Sequence, residues 1–520
     1  MTQIKKMLLA AVSGLLMTGA FPKIGWDWLI WFALLPLLYA VKDLPARSAF
    51  RMGFITGLIH FLSLLYWLVP VMRTYGYLPA YLSVAVLFLF AAVLAVFIAA
   101  FSAGLAGFGR NPFRCLVMIP LLWVALEYVR SFIFSGFPWE LLGYSQFNRL
   151  QLIQISDIFG VYGLSALIAF ANATLFISLL YFTKRRWQDT HISNRLAVGS
   201  TIALIVVIVL TWSYGHWRLK TIDNRIATSP KSRIAVVQGN IDQAIKWDPA
   251  FQIDTVQKYN LLSSSTIEQR PDLIVWPESA TPFYFLYDIK PSELVFEGIQ
   301  QTAKDYLIGS PSFVRKDEAV RYFNSAYLIS PQTKTMGKYD KTHLVPFGEY
   351  VPFKKWLPFL GKIVAQVGDF ESGKKGNTLP WRNQRIGVQI CYEIIFPGLS
   401  RAMAKNNASL LINITNDAWF GKTSGPYQHF SMTIFRAVEN RRSLARAANT
   451  GISGFIDPAG RVLASTALLK EAAVTQTVPL LKEKTVYTNI GDLFAQVCLA
   501  IVLLIALLEI VRWRIKKNEN

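Results

Sequence analysis

Three side chains in the second half of the chain could together perform acyl transfer: Glu278, Lys341 and Cys391. A cysteine thiolate attacks an acyl carbon and holds the acyl group covalently, which divides one difficult transfer into two easier steps. A carboxylate can accept the thiol proton and later that of an incoming amine. A lysine ammonium can stabilise the oxyanion of each tetrahedral intermediate. Cys391 is also the only thiol between 219 and 485, because Cys115 and Cys498 fall in apolar runs. With no partner in that stretch for a disulfide, the sulfur reads either as a nucleophile or as an inert strand-end residue.

These residues need elements that deliver them to one place. β-Branched runs ending in turn signals read as strands at 233–238, 273–276, 306–309, 325–330, 386–390, 410–415 and 451–456, with helical candidates at 254–266, 294–303 and 398–404. Strands joined through helices predict an α/β layered domain, in which ligands bind beyond the carboxyl ends of strands. Glu278 follows the strand ending at Trp276, and Cys391 follows 386–390. Lys341 lies in the segment after the strand ending near Ser330.

The rest of the chain has a different composition. Of 520 residues, 53% are hydrophobic and only 16% charged, against roughly 25% charged in an average soluble chain. That argues against a purely soluble enzyme and against disorder. Runs near 7–22, 26–41, 52–72, 80–108, 115–133, 160–182, 196–214 and 490–511 predict eight membrane spans. The first could instead be a cleaved signal peptide behind Lys5 and Lys6, but the apolar run that follows almost at once favours a retained hairpin. The net charge of +21 fits this reading, because basic residues gather on alternate connections: Lys42, Arg47 and Arg51, then Arg110 and Arg114, then Lys184, Arg185, Arg186 and Arg195, then the tail from Arg512. The other short loops hold only Lys23, Arg73, Arg130 and Arg149. The positive-inside rule then puts both termini in the cytoplasm and the α/β domain outside. The expected organisation is seven helices over 1–218, a catalytic domain over 219–485, and an eighth helix with a basic tail over 486–520. Glu127 and Arg130, at i, i+3, and the aromatic loop 135–144 read either as an anchored helix end or as one wall of a lipid-access site.

The motifs Trp276-Pro277-Glu278-Ser279, Tyr339-Asp340-Lys341-Thr342-His343-Leu344-Val345-Pro346-Phe347-Gly348-Glu349 and Cys391-Tyr392-Glu393 resemble those of the nitrilase superfamily. Asn416-Asp417-Ala418-Trp419-Phe420-Gly421 and Arg446-Ala447-Ala448-Asn449-Thr450-Gly451 are similar as well. With the flanking spans, Gly136-Phe137-Pro138-Trp139 and Lys246-Trp247, nearly the whole chain resembles the membrane-bound branch of that superfamily, the apolipoprotein N-acyltransferases. The resemblance implies an αββα nitrilase-like sandwich inserted between the helices of an eight-helix membrane bundle, on the periplasmic side of a bacterial inner membrane. It implies acyl transfer from a phospholipid, typically phosphatidylethanolamine, to the α-amine of a diacylglyceryl-cysteine in a lipoprotein. Carried over motif by motif, Cys391 is the acylated nucleophile, Glu278 the general base and Lys341 the oxyanion stabiliser. Glu349, Tyr392 and Glu393 are supporting residues, and Trp139, Trp247, Asn416 and Trp419 are substrate contacts. No metal, cofactor or nucleic acid is implied, and the expected state is a monomer.

The segment 353–365 is apolar and aromatic beyond what a surface loop needs, and reads either as an arm dipping into the membrane interface or as a packed sandwich edge. Other functions remain open from the residues alone. They are a membrane amidase of nitrilase type acting on small amides, a transporter with an outer accessory domain, and a Cys–His protease using His343 or His429. Few ionisable residues deep within the spans argue against transport.

Overall fold

The computed structural model describes residues 1–316, 319–351 and 369–519. The expected arm at 353–365 lies outside the described residues. The chain divides into two units, Met1–Arg218 with Ile490–Asn520, and Leu219–Asn489.

The first unit is helical. Among the described residues five helices are long and apolar enough to cross a membrane: Ala80–Phe108, Pro112–Arg130, Ser156–Phe182, Asn194–Thr228 and the Leu493–Arg512 portion of the last helix. A sixth candidate is bent by 52° between Ala46–Leu64 and Leu68–Thr74. Pro70 lies just past that bend and lacks the N–H that would reach back to the Tyr66 carbonyl. The first two expected spans fall on shorter elements. Segment 7–22 falls in a 17-residue helix, Gln3–Gly19, about 26 Å long at 1.5 Å per residue. Segment 26–41 is divided into a 3₁₀ turn, Asp27–Trp31, and the short helix Leu35–Val41, with Pro36 in its first turn. Helices in this unit approach closely where side chains are absent. A Cβ on Gly53 would stand 2.4 Å from the Ile98 carbonyl oxygen, and one on Gly57 would stand 2.7 Å from the Ala95 Cα. Small residues of this kind let apolar helices gain van der Waals contact where no hydrophobic drive exists.

The second unit contains two six-stranded sheets. The first holds β1 (Lys231–Gln238), β2 (Leu273–Val275), β3 (Asp305–Lys316), β4 (Ala319–Ile329) and β5 (Thr335–Asp340). The second is built from β6 (Thr378–Trp381), β7 (Gln384–Ile390), β8 (Leu410–Thr415), β9 (Ser443–Ala448), β10 (Gly454–Ile456) and β11 (Val462–Ser465). The chain then returns as β12 (Ala472–Pro479) to the edge of the first sheet beside β1. Each sheet has a parallel centre, β1-β2-β3 in one and β7-β8-β9 in the other, with antiparallel strands outside it. The central strands are buried throughout, as strands covered on both faces must be. The sheets stack face to face, with β1 against β9 and β5 against β6. Helices Gln252–Ser264 and Ile289–Thr302 cover the first sheet, and Pro397–Lys405 and Gly425–Asn440 cover the second. This is an αββα sandwich. Its first apolar layer, including Val237, Val256, Tyr259, Ile274, Trp276, Val295, Ile299 and Tyr306, sits between one sheet and its helices.

Candidate active site

Glu278 is placed by the end of β2. Trp276 is fully buried there, stacked on Tyr259 at 5.0 Å, with its indole N–H donating to Ser263 Oγ at 2.8 Å. The backbone then passes so close to β3 that a Cβ on Gly309 would lie 2.3 Å from the Pro277 carbonyl oxygen and 2.8 Å from the Glu278 Cα. Lys341 comes directly after β5, its N–H donating to the Asn324 carbonyl at 2.8 Å. Cys391 is the first residue after β7 and has φ +53°, a left-handed conformation that costs a β-carbon residue energy. The 3₁₀ turn Cys391–Ile395 begins there. Glu393 fixes the turn by accepting from Ile390 N–H at 2.7 Å, Thr342 N–H at 2.7 Å and His343 N–H at 3.0 Å. It also accepts from the Thr342 and Tyr339 hydroxyls, so one carboxylate joins the end of β7 to the segment carrying Lys341.

The reactive groups form one buried cluster. Lys341 Nζ lies 2.8 Å from Glu349 Oε2 and 3.7 Å from Glu278 Oε1. Asn324 Nδ2 donates to Glu278 Oε1 at 2.8 Å and to Glu349 Oε1 at 2.9 Å. Two carboxylate acceptors fix which way that amide points, since only its NH₂ end can satisfy both. The Asn416 N–H donates to the other Glu278 oxygen at 2.9 Å. Burial pulls the Lys341 ammonium down, but Glu349, Glu278 and Cys391 outweigh it and push its pKa above the ordinary lysine value. It is therefore a permanent cation. Burial pushes the Cys391 thiol up, Glu278 adds to this and Lys341 opposes it. The resting sulfur is a neutral thiol electrostatically coupled to Glu278 and Lys341.

A second network holds the nucleophile's backbone. His429 Nε2 lies 3.3 Å from the Cys391 carbonyl oxygen, and Asn413 Nδ2 donates to the same oxygen at 3.5 Å. The ring spans two acceptors, because its Nδ1 also lies 3.0 Å from Asp417 Oδ1. Arg446 donates to His429 Nδ1 at 2.9 Å and to Asp417 Oδ2 at 2.7 Å. Burial and the Arg446 charge both lower the His429 pKa and keep the ring neutral. Burial raises Asp417, but Arg446 and His429 overcome it and hold the carboxyl below its usual range. His429 thus addresses the Cys391 carbonyl, and the protease reading that made it a base for the thiol is not supported.

The sequence-predicted residues fall into three groups. Glu278, Lys341, Cys391, Glu349, Glu393 and Asn416 come together as described. Tyr392 packs edge-on to Phe396 at 5.1 Å and near His343 at 5.9 Å, while Trp247 and Trp419 are partly exposed on the same unit. Trp139 belongs to the helical unit, where it is buried, 6.0 Å from Phe137 in a stacked pair and 5.0 Å from Trp67. Arg130 donates to its carbonyl at 3.3 Å, and Glu127 accepts from Trp123 Nε1 at 3.0 Å and Leu142 N–H at 2.7 Å. Sequence reasoning missed Asn324, Gly309 and the Asp417–His429–Arg446 network. Nothing local marked Asn324, which precedes the apolar run read as a strand at 325–330, or Gly309. Among the described residues no group of three or more His, Cys, Asp or Glu side chains could hold a metal ion.

Comparison with known proteins agrees with this division. Residues 13–174 match the apolipoprotein N-acyltransferase N-terminal domain, and residues 233–483 match the carbon-nitrogen hydrolase family. The chain is 45% identical to the apolipoprotein N-acyltransferase of Geobacter metallireducens over 95% of its own length and 93% of the relative's. It is 32% identical to that of Chlorobaculum tepidum over 98% and 97%. Among solved structures, an amidase mutant from Nesterenkonia sp. AN1 aligns at 20% identity and a TM-score of 0.37, covering 51% of this chain and 95% of that one. With both domain matches in order and such identity over nearly the full length, the chain belongs to the apolipoprotein N-acyltransferase family.

Proposed function

We propose that this protein transfers a fatty acyl chain from a membrane phospholipid, through a thioester on Cys391, to the α-amine of a lipoprotein's N-terminal diacylglyceryl-cysteine. Phosphatidylethanolamine is the proposed donor, and the protein works as a monomer with its α/β unit on the periplasmic side of the inner membrane. The observation that carries this reading is the placement of Cys391, Glu278 and Lys341 at strand ends of one sandwich, in a chain of this family.

In the first half-reaction Glu278 takes the thiol proton as Sγ attacks the donor ester carbonyl. Lys341 stabilises the oxyanion, worth about 3 kcal/mol for such a donor, and Glu278 returns the proton to the departing lysophospholipid. In the second, the amine attacks the thioester and Glu278 passes its proton to the leaving sulfur. Glu349 and Asn324 hold Lys341 and Glu278 in register. Both substrates are lipid-anchored, and pulling a chain out of the membrane costs about 0.8 kcal/mol per CH₂. An α/β unit flanked in sequence by the apolar helices Asn194–Thr228 and Leu493–Glu519 is suited to avoid that cost.

The test is mass spectrometry of the intact protein, first with phospholipid alone and then with a diacylated lipopeptide. An acyl adduct on Cys391 that appears in the first step and moves to the peptide in the second is expected. No adduct, with hydrolysis of small amides instead, would overturn the proposal.

A further inference from the structure

Glu278 is held unevenly. Its Oε1 accepts from Asn324 Nδ2 at 2.8 Å and faces Lys341 Nζ at 3.7 Å. Its Oε2 accepts only from the main-chain N–H of Asn416 among the described residues, at 2.9 Å. The direction of that oxygen is therefore set by the plane of one peptide unit, Thr415–Asn416. This unit lies where β8 ends, since the ladder to β9 stops at Thr415 and a 3₁₀ turn begins at Asp417. Asn416 itself has ψ 83°, already departing from strand geometry.

What holds Asn416 in place of a ladder is a chain of three side-chain amides. Its Nδ2 donates to Gln243 Oε1 at 2.7 Å, and its Oδ1 accepts from Asn449 Nδ2 at 3.0 Å. Asn449 also gives its main-chain N–H to the Thr415 carbonyl at 3.0 Å, the other end of the same peptide unit. All three amides are more than nine-tenths buried. Each comes from beyond the carboxyl end of a parallel strand, Gln243 after β1, Asn416 after β8 and Asn449 after β9.

The orientation of every amide follows from its neighbour. Asn449 Oδ1 accepts from Ile241 N–H and its Nδ2 donates to the Ile241 carbonyl, each at 2.9 Å, which fixes the donor end. Asn416 must then turn its oxygen to Asn449 and its NH₂ to Gln243, and Gln243 must answer with oxygen. Both ends of the Asn416 side chain are thus engaged within the protein, an arrangement for holding a neighbour rather than gripping a substrate. Gln243 closes the chain, and its side chain makes no other hydrogen bond to the described residues.

We propose that Gln243 is a positioning residue for the general base, acting through Asn416: by fixing the Asn416 amide it aims the Asn416 N–H at Glu278 Oε2. When the S–H bond of Cys391 breaks and its proton joins Glu278, the carboxylate must already point correctly. A small misplacement costs rate rather than affinity. This rests on the acyl-transfer reading and deepens it.

The test uses Gln243→Met, of similar length without the acceptor oxygen, Asn416→Ala, which cuts the chain but keeps the main-chain N–H, and the double variant. Each full-length protein is mixed with phospholipid at a series of concentrations, and the adduct on Cys391 is followed by mass spectrometry. Both single variants are expected to acylate about tenfold more slowly at saturation. Their half-saturating concentration should stay within twofold of wild type, the pattern of an interaction felt at the transition state. The double variant is expected to be no slower than Asn416→Ala, because Gln243 then has nothing to act through. The final amount of adduct should equal that of wild type, which reports correct folding. Four results would each overturn the inference. They are a wild-type rate in Gln243→Met, a rise in half-saturating concentration alone, a Gln243→Met effect that persists in full beside Asn416→Ala, and a loss of final adduct in both single variants. Failure of wild type itself to form the thioester would sink the acyl-transfer reading instead.

Discussion

At the scale of single residues, the site depends on who shares hydrogen bonds with whom. Glu278→Gln keeps the shape but cannot take a proton, so thioester formation should fall by at least about 100-fold, measured as the rate of adduct appearance on Cys391. Asn324 joins the two carboxylates that flank Lys341, so its role is distributed and no local motif announces it. Gly309 is sharper. A methyl group there would collide with the Pro277 carbonyl, which is backbone and cannot swing aside. Gly309→Ala should cost about 1–3 kcal/mol of stability and displace Glu278, visible as a lower melting temperature together with slower acylation. A melting temperature and rate both equal to wild type would show that the β2 end yields freely.

At the scale of elements, each reactive side chain sits where a strand stops. The buried, β-branched runs before Glu278 and Cys391 made those two strand ends legible, because chemistry and strand termination coincide in sequence. Lys341 was legible in part. The reading set it after the strand near Ser330, but β5 (Thr335–Asp340) intervenes, a half-exposed strand whose Gly337 and Lys338 gave it no apolar signature. The His429 network was not legible as support, because its members come from β8, the turn after it, helix Gly425–Asn440 and β9. Only the fold brings them under the Cys391 carbonyl. His429→Ala removes the ring that holds this strained residue in place. A fall in kcat of about tenfold with little change in KM is expected, the signature of an interaction felt at the transition state. An equal rise in KM alone would assign His429 to binding. At the N-terminus the apolar runs fold as a 17-residue helix and as shorter helices whose first turns hold Pro36 and Pro70, a division that hydropathy alone does not register.

At the scale of the whole molecule, the two units divide composition as well as structure. The long apolar helices belong to one unit, and the α/β sandwich between Leu219 and Asn489, which holds the Glu278–Lys341–Cys391 cluster, to the other. The charge asymmetry between alternate connections gives a direct prediction. A single cysteine introduced at Lys184 should resist an impermeant thiol reagent added to intact spheroplasts, and one at Lys405 should react. The opposite pattern would invert the orientation and leave the site facing the cytoplasm.

The amide of Asn324, donating to two carboxylates around one ammonium, has a consequence for how the enzyme meets its surroundings. Because the proton that Glu278 takes from sulfur departs with the lysophospholipid, the total electrical charge of this enclosed set is the same before and after the acyl chain is captured. Capture from the bilayer should therefore be nearly indifferent to ionic strength. Delivery to a cationic amino terminus brings new charge into the enclosure and should respond to salt, so the two halves of one catalytic cycle would be told apart by sodium chloride alone.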